Sequence, residues 1–267
     1  MPMQLTFPEG AALVSGGTGR VGEGVTRTLA AAGVPVVFTY RGSADRATAL
    51  EEELCAAGGL VRRCRMDLTD IASIDAAIEA AKALGNGRIH AVISAGGPMV
   101  PFAKIADLPP EIVREFLHQD ALGIFQLFAR GVAALRAGGG GSLTACTTIA
   151  NRRVVDFDGM SPFSKGSTEA LVRQIAAEEA ESGIRCNAVP VSWVNDFDKA
   201  QQLADLEGLP EPQYSMVVAL MDQLDTHTRL KRPGTTQEVG NLFAFLASDQ
   251  ARYITGQSIA FDGGFSL

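Results

Sequence analysis

The sequence predicts an α/β fold with a doubly wound parallel sheet, seven strands with helices on both faces. Three observations carry that expectation. Short apolar runs alternate with longer stretches of helical spacing along the chain, which is the pattern of βαβ crossovers. Runs such as Val34-Pro35-Val36-Val37-Phe38 are apolar at every position, as a strand buried on both sides requires. A glycine-rich turn follows the first run directly and opens a helical pattern.

In order, the expected strands are Ala11 to Ser15, Val34 to Tyr40, Leu60 to Met66, Ile89 to Ser94, Ser142 to Thr148, Ile184 to Val189 and Ser258 to Phe261. Helical spacing covers Val21 to Ala32, Ile71 to Leu84, Ile112 to Leu135 and Ser164 to Ser182. The Gly138–Gly141 run falls where a helix must end and a strand begin, a place for a C-cap and tight turn. No linker or repeat divides the chain, so residues 1–267 are expected to form one domain. The stretch from Asp196 to Arg229 has no strand and carries Pro210, Pro212 and an amphipathic piece near Met216 to Leu224. Residues 196–230 therefore read as a substrate loop or lid, or equally as a packed excursion.

The chain of 267 residues carries 23 basic and 30 acidic side chains, a net charge of −7. That balance argues against coating nucleic acid or an anionic membrane. Cys55, Cys64, Cys146 and Cys186 are far apart, with neither a zinc spacing nor a disulfide framework. No metal site is expected. The first ten residues show no secretory pattern, and no run of about 18 apolar residues exists to span a membrane. The expectation is a soluble, cytoplasmic protein.

The turn reads Ser15-Gly16-Gly17-Thr18-Gly19-Arg20-Val21-Gly22. Between a strand and a helix, such glycines let the backbone approach a pyrophosphate, which rests on exposed N–H groups at the helix start. Tyr40-Arg41 ends the second strand. A carboxylate there would bond the ribose 2′-OH of NADH and repel a 2′-phosphate. None is present, and the Arg41 guanidinium suits that phosphate, with Arg20 near enough to help. NADPH is expected over NADH. Asp45 is close enough in sequence to occupy Arg41 instead.

From Ala11 to Leu267 the order of motifs resembles the short-chain dehydrogenase/reductase family. Met66-Asp67-Leu68 resembles the segment beside the adenine, and Ser94-Ala95-Gly96 stands where the family has Asn-Ala-Gly on the floor of the cofactor site. Ser161-Pro162-Phe163-Ser164-Lys165 falls on the Tyr-x-x-x-Lys motif. Arg232-Pro233, Ile254-Thr255-Gly256 and Asp262-Gly263-Gly264 complete the match. The resemblance implies a Rossmann-type fold, a nicotinamide dinucleotide, a small-molecule substrate, and a homotetramer or dimer packed through the helices at Ile112–Leu135 and Ser164–Ser182.

The same resemblance implies four catalytic groups, of which one is unchanged. Lys165 matches the Lys that holds the nicotinamide ribose. Thr148 takes the Ser position, Asp120 the Asn position, and Ser161 the position of the Tyr. The longer Tyr-to-Lys spacing of the enoyl reductase branch is absent too, because Asp158 lies seven residues before Lys165. A serine hydroxyl is a much weaker acid than a phenol. A water held by Ser161 or Thr148, a relay through Asp120 or His118, or an acidic group on the substrate can take the role. Val194 offers its backbone to the carboxamide, while Asp196 stands where a Thr is customary.

The leading expectation is an NADPH-dependent ketoreductase for a bulky or aromatic, polyketide-like ketone. Trp193, Phe197, Tyr214, Met216 and Met221 would form an apolar wall. Two rivals stand beside it: a cofactor-binding pseudoenzyme or scaffold, and a non-redox dehydratase or isomerase on the same fold.

Overall fold

A computed structural model describes residues 4–197, 199–204, 206, 208, 210–211 and 213–267. Pro212 of the loop expectation lies outside the described residues. The elements run β1 (Ala11–Ser15), α1 (Arg20–Ala31), β2 (Val36–Tyr40), α2 (Ala44–Ala56), β3 (Val61–Arg65), α3 (Ile71–Leu84) and β4 (Ile89–Ser94). They continue with α4 (Pro110–Leu117), α5 (Gly123–Ala137), β5 (Gly141–Thr148), α6 (Met160–Glu179), β6 (Ile184–Val191), α7 (Lys199–Ala204), α8 (Gln213–His227) and α9 (Thr236–Ala247).

All strand pairs are parallel, in the order β3-β2-β1-β4-β5-β6. Alternate side chains feed two cores. Leu13, Val37, Val92 and Leu143 pack with α3, α5 and α6 on one face, through Ile74, Phe128 and Val172. Val14, Phe38 and Ile93 pack with α1, α2 and α9 on the other, through Leu29, Leu50 and Phe243.

The seventh strand is a correction. Ser258 to Phe261 lies beside β6 but touches it only at two isolated bridges, Ala188 with Ser258 and Val191 with Phe261. Pro190 is the reason. It accepts from the Phe261 amide but has no N–H to return, so the ladder breaks between the bridges. The sheet of the described residues has six strands.

Two helical expectations are also refined. The run expected over Ile112–Leu135 is interrupted by a π-helical turn at His118–Leu122, between α4 and α5. The amphipathic piece expected near Met216 to Leu224 is part of the longer α8. The glycine run does end a helix: Gly138 caps α5, and Gly139, Gly140 and Gly141 all take positive φ.

Candidate functional site

The strand order reverses between β1 and β4, and a crevice opens there at the carboxyl ends of the strands. A cleft of about 430 Å³ is lined by Gly16, Thr18 and Gly19 from the turn, Tyr40 and Arg41 from β2, Asp67 and Leu68 after β3, and Gly96 after β4. Ser94 and Ala95 lie beneath, both buried; the Ser94 hydroxyl has no hydrogen-bond partner. Arg20, Val21 and Gly22 form the first turn of α1. Sequence reasoning missed Ser43, Gly97, Pro98 and Gln119, which also line the cleft. They belong to no motif, and only the fold brings them in.

The glycines differ in what they serve. Gly16 has φ +72, and a Cβ on it would stand 2.4 Å from the Cα of Gly96. The two loops touch backbone to backbone, and glycine is required by the protein itself. Gly19 has an ordinary φ of −81, and a Cβ there would meet only the Gly16 carbonyl, at 3.3 Å. Beyond that one carbonyl the protein leaves the position clear, and a ligand can press against the turn there. Gly19 is also the N-cap of α1 and brings no capping side chain, whereas Asp70 and Thr235 cap α3 and α9. The first N–H groups of α1 are left without side-chain caps, as an anion site requires. The cradle therefore fits a dinucleotide.

At the far end, Asp67 Oδ1 accepts from the amide and hydroxyl of Thr69 at 2.9 and 2.8 Å. The Thr69 amide chiefly holds this carboxyl below the usual aspartate range, against a smaller opposing effect of burial. Arg41 donates to Gln119 Oε1 at 2.9 Å. Its recorded partner is thus a neutral amide, not Asp45, and its charge is not neutralised by that bond.

The inner end is built by the π turn, which carries Asp120 inward to 1% exposure. Lys165 Nζ donates to Asp120 Oδ1 at 2.6 Å, and Ser164 Oγ donates to Oδ2 at 2.7 Å. Gly97 closes over the pair: a Cβ there would lie 3.3 Å from Asp120 Oδ1 and 3.7 Å from Lys165 Nζ. His118, two residues before Asp120, is exposed. Thr148 Oγ1 accepts from the Ala150 amide at 3.1 Å, which leaves its O–H proton to donate.

Ser161 precedes Lys165 by one helical turn on α6. Its amide donates to Asp158 Oδ1 at 3.1 Å. Burial pushes the Asp158 carboxyl above the usual aspartate range, more than the Ser161 bonds lower it.

Val194 bridges Gly234, with the bonds made by the Trp193 carbonyl and the Asn195 amide, not by Val194's own groups. Asp196 Oδ1 accepts from the Thr236 amide at 3.0 Å, at the start of α9. The carboxylate expected beside the cofactor thus serves a helix N-terminus. Phe197 lies under the Arg20 guanidinium, 6.0 Å from ring centroid to Cζ, which ties the 196–230 stretch to the glycine turn. Trp193 Nε1 donates to Gln202 at 3.1 Å. Met221 is buried and serves packing. Among the described residues there is no cluster of groups able to hold a metal, and no helix long and apolar enough to cross a membrane.

Residues 17–266 match the family model described as enoyl-(acyl carrier protein) reductase. The chain is 30% identical to 1-cyclohexenylcarbonyl-CoA reductase of Streptomyces collinus, over 96% of this chain and 86% of that one. It is 28% identical to the NADH enoyl-(acyl-carrier-protein) reductase of Bacillus cereus, over 91% of each. A short-chain type dehydrogenase/reductase from Mycobacterium ulcerans superimposes with a TM-score of 0.86 at 28% identity, covering 98% of this chain and 92% of the other.

Proposed function

Because the chain belongs to the short-chain dehydrogenase/reductase family, an oxidoreductase family that binds NAD(P)H, we propose that it is an NADPH-dependent reductase with a proton source other than tyrosine. The observation that carries this reading is Lys165 paired with buried Asp120 at the inner end of a glycine-lined crevice. When bound, NADPH supplies the hydride. The Gly16–Gly22 turn would hold the pyrophosphate, Asp67 and Leu68 the adenine, Arg41 the 2′-phosphate, Lys165 the nicotinamide ribose and Val194 the carboxamide. Thr148 would donate to the substrate oxygen, and Ser161 would stand beside it.

The substrate proposed is a bulky or aromatic ketone, walled by residues of 196–230. The names of two relatives favour a second reading, reduction of an α,β-unsaturated thioester, where charge develops on a carbonyl oxygen in the same position. Four free cysteines suit a reducing cytoplasm.

Calorimetric titration with each cofactor tests the preference: NADPH should bind at least about tenfold more tightly than NADH, some 1.4 kcal/mol. Equal binding removes the role given to Arg41. NADPH oxidation with acetophenone, ortho-hydroxyacetophenone and crotonyl-CoA separates the substrate readings. Binding of NADPH with no turnover of any carbonyl or enoyl compound would favour a scaffold role.

A further inference from the structure

Arg41 and Gln119 both line the cleft, one directly after β2 and the other in the π turn between α4 and α5. Arg41 Nη1 donates to Gln119 Oε1 at 2.9 Å, and Gln119 Nε2 donates to Glu115 Oε1, four residues earlier on α4. The direction of this chain is forced. A guanidinium only donates and a carboxylate only accepts, so the amide between them must turn its oxygen to Arg41 and its nitrogen to Glu115. Gln119 thereby ties the arginine to a carboxylate at one remove.

Held in this way, Arg41 keeps its charge. On neighbouring elements Arg27, Arg46 and Arg63 are each bonded directly to a glutamate. Asp67, whose carboxyl feels the Arg41 charge, is itself engaged by Thr69. The Gln119 bond uses Nη1 alone. Nε and Nη2, the side-on fork that suits a phosphate, have no partner among the described residues. The next residue of the same π turn, Asp120, holds Lys165 at 2.6 Å. Successive helical residues point about 100° apart, so one reaches the mouth of the cleft and its neighbour the interior.

We propose that Gln119 is a positioning residue that sets the cofactor preference, holding the Arg41 guanidinium ready for a 2′-phosphate without neutralising it. The proposal rests on the reading of Arg41 given above. An exposed arginine loses rotamer freedom when it clasps an anion, and one already held by a single nitrogen loses less. A carboxylate at position 119 would hold the guanidinium equally well but cancel the charge that the phosphate needs. The amide supplies the grip alone.

Calorimetric titration of the full chain with NADPH, NADH, 2′,5′-ADP and 5′-AMP tests this, the last two confining the readout to the adenine end. Q119M keeps the length of the side chain and removes the acceptor. It should weaken NADPH and 2′,5′-ADP about fivefold, while NADH and 5′-AMP stay within about twofold. Q119E should lower the ratio of NADPH to NADH affinity by about tenfold or more, the ratio cancelling much of the repulsion that both cofactors feel from the added charge. In an R41A background, Q119M should change NADPH affinity by less than about twofold, because Gln119 acts through Arg41. Variants Q119M and Q119E that both keep the parent's affinity ratio within about twofold overturn the proposal. Equal weakening of both cofactors by Q119M overturns it too, since that is the mark of a structural role. So does a further loss of about fivefold in R41A, which would mean that Gln119 touches the cofactor itself. A parent that binds NADPH and NADH equally removes the Arg41 reading, and the role of Gln119 falls with it.

Discussion

Asp120 is enclosed by protein, and Lys165 and Ser164 donate to its two oxygens. Such a pair is costly to break from one side, since the orphaned charge keeps its desolvation cost. K165A should therefore destabilise the protein by about 3 kcal/mol at pH 8, measured by urea unfolding. D120N should be mild, because an amide oxygen still accepts from Lys165. It also removes a negative charge from an anionic ligand's surroundings, and NADPH should bind about fivefold more tightly, roughly 1 kcal/mol. Weaker NADPH binding by D120N would mean that the ion pair positions Lys165 for the ribose. The identities of Lys165, Thr148, Ser161 and Asp120 were legible as a rebuilt motif. That Asp120 would be enclosed while His118 stayed in solvent was not, because both depend on the phase of one π turn.

The turn between β1 and α1 shows the same division among glycines of one motif. G16A adds a methyl against the Gly96 backbone in a left-handed conformation, and it should lower the melting temperature by several degrees. G19A adds a methyl at an ordinary φ, with the Gly16 carbonyl at 3.3 Å as its one close protein neighbour. Its melting temperature should change little, and NADPH binding should weaken about tenfold or more. A G19A variant that binds NADPH normally would show that no ligand approaches the turn at that position. The element boundaries follow equally local causes. Thr235 and Glu238 form a capping box at α9, and Pro190 breaks the last ladder although the apolar run beside it reads as a strand.

Across the whole molecule, α5 and α6 pack side by side, joined by Arg136 donating to Glu179 at 2.6 Å. Around them Leu122, Phe125 and Phe163 are exposed, and the homo-oligomer expected from the family resemblance would cover these helices. F163E should shift the protein to a smaller species in light scattering at micromolar concentration. A parent that is already monomeric there would remove the expectation. The sequence by itself determined the alternation of strands and helices, the glycine turn and the altered catalytic positions, because apolar period and turn chemistry are local. Tertiary structure decided which groups meet. Gly96 reaches Gly16, Asp120 turns in to Lys165, Gln119 takes Arg41, and Asp196 accepts from Thr236 at α9. Each pairing joins residues dozens of positions apart, and no periodicity records such a distance.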